Sequence, residues 1–192
     1  LGKKEDEVHK IKKSGEAIIE KINNEITTNQ INSVPTFRVV QGRQNIYADI
    51  AQMIETTKDE IYIVTTLDDV SRMYHSTIPE KITICEKNGG TVRLLVDMND
   101  TKLAPFVKRF NATETKIGKL PSKGRLIVQK SKKMIMSDSA ASFQHSSSDS
   151  DYSLCTNSME MVDNIFTLCS FLWERSSPLK TIDVKNFVRQ SR

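Results

Sequence analysis

Glu60-Ile-Tyr-Ile-Val-Thr-Thr66 is followed, after a polar interval, by Thr77-Ile-Pro-Glu-Lys-Ile-Thr-Ile-Cys-Glu-Lys87 and then by Asn88-Gly-Gly-Thr-Val-Arg-Leu-Leu-Val96. The first and last of these are near-continuous apolar runs rich in β-branched residues, the pattern of strands buried on both faces. Between them Thr77 stands where a helix N-cap belongs, Pro79 fits the first turn, and Asn88-Gly89-Gly90 supplies the stop. Strand, helix, strand in this order predicts a parallel pair joined by a crossover helix. Upstream, Phe37-Arg-Val-Val-Gln-Gly42 reads as a strand ending in a glycine turn. Asn45 to Thr57 carries Ile46, Ile50, Met53 and Ile54 at helical spacing, and Asp68 to Ser76 reads as a loop or short helix.

Downstream, Leu103 to Phe110 reads as a short helix and Glu114 to Ile117 as a weak strand. Arg125-Leu-Ile-Val-Gln129 and Lys133-Met-Ile-Met136 flank the turn Lys130-Ser-Lys132, which predicts a hairpin. Ser137 to Ser153 is serine-rich and predicts a mobile loop. Tyr152 to Asn157 reads as a strand. Ser158 is placed to cap a helix through Arg175, with Met161, Val162, Ile165, Phe166, Leu168, Cys169, Leu172 and Trp173 as a broad apolar face. The whole predicts an α/β domain, a single mixed sheet flanked by helices.

The segment before this domain has a different character. Val8, Ile11, Gly15, Ile18 and Ile22 are spaced 3-4-3-4 in otherwise charged and polar sequence, the rhythm of a coiled-coil seam. Val8, Ile11, Ile18 and Ile22 are therefore expected to line a homodimer contact; the alternative is an amphipathic helix packed on its own domain. The expected organisation is a dimerisation helix over 1–28, a linker over 29–36, the α/β domain over 37–177 and a tail over 178–192. The chain starts at Leu1 without a Met, which suggests a piece of a longer protein.

Composition narrows the function classes. The chain has 192 residues and a formal net charge of +4. No apolar run approaches the ~18 residues of a membrane span, and no secretory signal is visible, so no membrane partner and a cytoplasmic location are expected. Three widely spaced cysteines, Cys85, Cys155 and Cys169, fall in apolar contexts and read as reduced core residues. No metal and no cofactor is expected: His9, His75 and His145 have no His or Cys at ligand spacing. His145 with Asp149 and Asp151 is the one weak metal grouping, and a solvated loop is the simpler reading. No phosphate-binding glycine loop or nucleophile elbow is present.

Charge and topology leave two candidates for recognition. Lys116, Lys119, Lys123, Arg125, Lys130, Lys132 and Lys133 crowd one stretch without an acid among them. The run reads as a solvated rim, an anion site or a nucleic-acid surface, and it lacks the aromatics that stack on bases. In open α/β sheets ligands sit beyond the carboxyl ends of parallel strands. That rule selects Thr65, Thr66 and Asp68 after one strand and Asp97, Asn99 and Asp100 after the next. Thr65, Thr66, Asp97 and Asn99, with Lys123 and Arg125, form the predicted ligand-binding set, although the short polar residues also suit helix caps and turns.

Phe37-Arg-Val-Val-Gln-Gly-Arg43, Lys58-Asp-Glu-Ile-Tyr-Ile63, Gly89-Gly-Thr-Val-Arg-Leu-Leu95, Ser153-Leu-Cys-Thr-Asn157 and Phe171-Leu-Trp173 together resemble the effector domain of archaeal TrmB-like transcriptional regulators. The resemblance covers about Phe37 to Trp173. It implies a fold like one half of a phospholipase D. It also implies an upstream winged-helix domain that carries DNA binding, a coiled-coil helix that makes a homodimer, and an unidentified small-molecule or protein effector. Phospholipase D enzymes use H-x-K-x4-D, in which His is the nucleophile, Lys holds phosphate and Asp supports the site. The matching stretch is Lys123-Gly-Arg125-Leu-Ile-Val-Gln-Lys130, with Lys123 at the His position, Arg125 at the Lys and Lys130 at the Asp. The resemblance therefore implies a binding domain with no catalytic residues. The alternatives are a phosphodiester hydrolase of the phospholipase D type and a protein-interaction adaptor without a small ligand.

Overall fold

A computed structural model describes residues 34–98, 104–138 and 151–179. The seam positions Val8, Ile11, Ile18 and Ile22, most of the linker, the tail beyond Leu179, Asn99, Asp100, His145 and Asp149 lie outside the described residues. From Pro35 onward the described residues belong to one compact unit. Along the chain run β1 (Phe37–Gln41), α1 (Arg43–Glu55), β2 (Glu60–Thr66), α2 (Leu67–Tyr74), α3 (Ile78–Lys87), β3 (Thr91–Asp97), α4 (Ala104–Arg109) and β4 (Glu114–Ile117). They are followed by β5 (Arg125–Gln129), β6 (Lys133–Ser137), β7 (Tyr152–Thr156), α5 (Met159–Glu174) and the two-residue β8 (Ser177–Pro178).

The eight strands form one mixed sheet in the order β1-β7-β6-β5-β2-β3-β4-β8. β2, β3 and β4 are parallel, and the other pairings are antiparallel. The expected hairpin is present, with Ser131 in its turn at φ 48°. The crossover from β2 through α2 and α3 to β3 closes on Gly90. A Cβ there would lie 2.6 Å from the Thr57 carbonyl oxygen, so only glycine lets helix and sheet approach.

Period-two alternation divides the strands between two cores. On one face Ile61, Ile63, Val92, Leu94, Val96, Ile127 and Ile135 pack against α1, α2 and α3 in a dry aliphatic cluster. On the other, Tyr62, Val64, Leu95, Val128 and Met134 receive Val162, Cys169 and Trp173 of α5. Tyr62 meets Phe166 and Trp173 edge-on at 5.0 and 5.9 Å. The Arg93 guanidinium lies 5.7 Å from both the Tyr62 and Trp173 ring centres. These contacts fix the tilt of α5 by directional interactions as well as by area.

Asp68 to Ser76, read as a loop or short helix, is helix for most of its length, because Thr66 accepts a hydrogen bond from the Asp69 N–H at 3.4 Å and caps it. Other local expectations are corrected. Thr77 and Ser158 occupy cap positions without capping through their side chains. The α3 start is served instead by Ser76 Oγ, which accepts from the Ile78 N–H at 3.2 Å. Ser137, expected in a loop, is a buried strand residue of β6 and pairs with Ser153 in the strand expected from Tyr152. The broad apolar face of α5 is only partly covered: Met161, Leu168 and Phe171 are exposed. Cys85 and Cys169 are buried and Cys155 is half-buried, all as free thiols.

Candidate functional site

β5 runs antiparallel to β2, with Leu126 opposite Val64, so the start of β5 lies beside the carboxyl end of β2. Arg125 therefore enters the sheet edge where the topological rule places a ligand. It points into the α1–α3 face and is 2% exposed. Its Nε donates to Asp69 Oδ2 at 2.7 Å, its Nη2 donates to Asp69 Oδ1, and its Nη1 donates to Ser137 Oγ at 3.3 Å. Asp69 is fully buried, and its Oδ2 also accepts from Thr65 Oγ1 at 2.7 Å. A buried guanidinium and carboxylate each satisfy the other here through a two-pronged contact. Burial alone would lower the Arg125 pKa, but the hydrogen bonds and charge of Asp69 outweigh it and raise it.

Tyr47 of α1 closes the cluster, its ring centre 5.1 Å from the Arg125 guanidinium carbon. Its hydroxyl is buried and has no hydrogen-bond partner among the described residues. Burial, and then the charge of Asp69, push its pKa up to about 12. At the rim, Arg43 Nε donates to Asp151 Oδ2 at 2.7 Å. That bond raises the Arg43 pKa against the opposing effect of burial.

The structure thus brings Thr65 and Arg125 together, through Asp69. Thr66 caps α2. Asp97 Oδ2 accepts from the Leu120 N–H at 3.3 Å and fixes the loop before β5. Lys123 is exposed on that loop and Asp68 is exposed on α2. Asp69, Tyr47, Arg43, Asp151 and Ser137 were not in the predicted set. Only Asp69 left a local signal, the capping spacing Thr66-x-x-Asp69. The others arrive from α1, β6 and the start of β7, and no sequence spacing relates those elements.

The basic run does not form one patch. Lys116 Nζ sits 4.8 Å from the Trp173 ring centre and donates to the Trp173 carbonyl at 3.0 Å. Lys119 and Lys123 lie on the loop, and Arg125 is interior. Lys130 and Lys132 occupy the hairpin turn at the far end of β5, where Lys130 faces Asp59 at 3.9 Å. Strand alternation and the hairpin scatter these cations over both faces and both ends of the sheet.

No family model matches the sequence, and no curated protein sequence does. Solved structures do match in fold. TrmBL2, an archaeal chromatin protein whose structure shows a mode of DNA binding, superposes with a TM-score of 0.54 at 13% identity, covering 91% of this chain and 67% of that one. NucT from Helicobacter pylori gives 0.56 at 11% identity over 76% of this chain and 99% of that one. Nuc from Salmonella typhimurium, a phospholipase D family member, gives 0.55 at 12% identity over 76% and 98%. The fold is phospholipase D-like. The TrmB-like and phospholipase D-like resemblance read from the sequence holds at the level of architecture, with the mixed α/β sheet as expected. In this phospholipase D-like fold, the stretch aligned with H-x-K-x4-D starts on the exposed loop at Lys123, passes through the interior at Arg125 and ends in the opposite turn at Lys130.

Proposed function

We propose that residues 37–177 are the effector-binding domain of a TrmB-like DNA-binding regulator, that they are not catalytic, and that residues 1–28 dimerise the protein. One observation carries the non-catalytic reading. The cation at the position of the phosphate-holding lysine is committed to Asp69, in the interior, beside a strand end where no imidazole lies among the described residues. Lysine at its ordinary pKa is a poor nucleophile, so Lys123 does not replace one. The fold shared with TrmBL2 supports a DNA-binding context, with DNA held by a winged-helix domain encoded ahead of Leu1.

In this reading an effector bound near Thr66, Asp97 and Lys123 favours one arrangement of the two dimer arms. The spacing of the attached DNA-binding heads then changes. The homodimer has a second support. Phe37, Val39, Met136 and Tyr152 are large, exposed and share the sheet face that α5 covers only in part. Such a patch suits a second copy of the chain better than water. The protein acts in the cytoplasm; among the described residues no helix is long and apolar enough to cross a membrane.

Two measurements test this. Homogeneous protein is expected to turn over neither nucleic acid nor phospholipid, and activity abolished by Lys123→Ala would overturn the reading in favour of a phosphodiester hydrolase. In sedimentation, the double variant Ile18→Asp/Ile22→Asp is expected to shift the chain to monomer, whereas an unchanged dimer removes the arm from the account.

A further inference from the structure

At the opposite end of the sheet from Arg125, a cavity of about 250 Å³ opens between the strands and α1. Its position follows from register. Arg38 on β1 pairs with Cys155 on β7, Cys155 pairs with Ile135 on β6, and Lys133 lies two residues before Ile135. All four therefore share the α1 face of the sheet. Asp49 and Gln52, three residues apart on α1, form the other wall. Thr36 and Asn157 close the end: the Thr36 N–H and hydroxyl donate to Asn157 Oδ1 at 2.7 and 2.9 Å, which leaves the Asn157 amide nitrogen as a donor.

The charges in this cavity do not balance. Arg38 Nη2 donates to Asp49 Oδ2 at 2.8 Å. Lys133 is half-buried, and its ammonium has no hydrogen bond or ion pair among the described residues. Burial lowers its pKa, and the charge of Asp49 only partly offsets this. Two cations thus face one carboxylate in a recess partly shielded from water. A desolvated ammonium without a partner is costly, and a charge-assisted hydrogen bond to an anion removes that cost. The volume lies below the roughly 300–1,000 Å³ of pockets that take drug-sized ligands, so the occupant is small.

We propose that this cavity binds a small metabolite through its oxyanion group, a carboxylate or phosphate, held by Lys133 and Arg38. The site is distinct from the Arg125 cluster and from the rim assigned above to the effector. It does not depend on DNA binding or dimerisation.

The test is a titration of the full chain at neutral pH and low salt, in separate arms with inorganic phosphate and with succinate, followed by amide chemical shifts. At least one probe is expected to give saturable shifts confined to the surroundings of Arg38, Lys133 and Asn157, and the arm that responds identifies the group bound. Lys133→Met is expected to weaken that binding at least tenfold. Asp49→Asn is expected to tighten it severalfold, because it removes the competing carboxylate and frees Arg38. Both positions are half-buried at the cavity wall, and unchanged shifts elsewhere verify the fold. No saturable shift from either probe, shifts centred on the Lys119–Lys123 loop, or equal affinity in Lys133→Met would each overturn the proposal.

Discussion

Arg125 and Lys133 sit on adjacent strands of one hairpin, on the same face of the sheet, at opposite ends. Arg125 is interior, and its whole fork is taken by Asp69 and Ser137. Lys133 is half-buried, and its ammonium has no partner among the described residues. The difference shows how exposure governs what a cation can do. A fully buried charge is tolerated only with its counter-charge in place, so its ligand is part of the protein. A charge at a cavity mouth survives unpaired, and its counter-ion can come from outside.

The largest expected effect comes from breaking the interior pair. Asp69→Ala leaves the Arg125 guanidinium buried and uncompensated, and is expected to cost about 3–5 kcal/mol in urea unfolding. A loss below about 1 kcal/mol would mean that Arg125 finds water or another partner, and the contrast with Lys133 would vanish.

Tyr47, which lies over Arg125, tests the same cluster with a smaller change. Tyr47→Phe removes a buried hydroxyl that has no hydrogen-bond partner among the described residues, so stability at neutral pH is expected to be unchanged or about 1 kcal/mol higher. Its pH signature has a definite sign. The folded chain keeps the Tyr47 proton up to about 12, whereas the unfolded chain sheds it near 10. The unfolded state then binds fewer protons, and stability falls as pH rises through this window. Cys169, pushed by burial up to about 12 from 9, acts in the same direction. Tyr47→Phe should make the alkaline decline shallower, and an identical slope would place the Tyr47 hydroxyl in contact with solvent. Lys133→Met should move stability least, within about 1 kcal/mol, because the half-buried ammonium it removes has no partner among the described residues to leave behind.

Much of the fold was legible because its signals are local. β2 and β3 announce themselves by unbroken β-branched runs, the β5–β6 hairpin by two such runs around a polar turn, and α3 by its Asn-Gly-Gly stop. The site was less legible because it is assembled across the sheet. Thr65 and Arg125 were identified by topology and by motif alignment, yet neither argument indicated that Asp69 joins them. Asp68 was selected beside Thr65 and Thr66, and a segment read as either a loop or a short helix does not say which of its carboxylates turns inward. Once α2 begins at Leu67, its turn exposes Asp68 and buries Asp69. The basic run misled for a related reason, since linear density says nothing about the alternation that sends Arg125 inward and Lys130 into the turn. The broad apolar face of α5 was legible, but periodicity cannot distinguish a face packed on its own sheet from one left for another surface.

The account rests on Arg125 being committed to Asp69, and a double-mutant cycle measures that commitment most directly. Urea unfolding of Asp69→Leu, Arg125→Met and the double variant is predicted to show a coupling of at least about 2 kcal/mol, with the double variant closer to the parent than either single change. A coupling near zero would mean that Arg125 holds its charge free for an anion, and the non-catalytic reading of this site would lose its support.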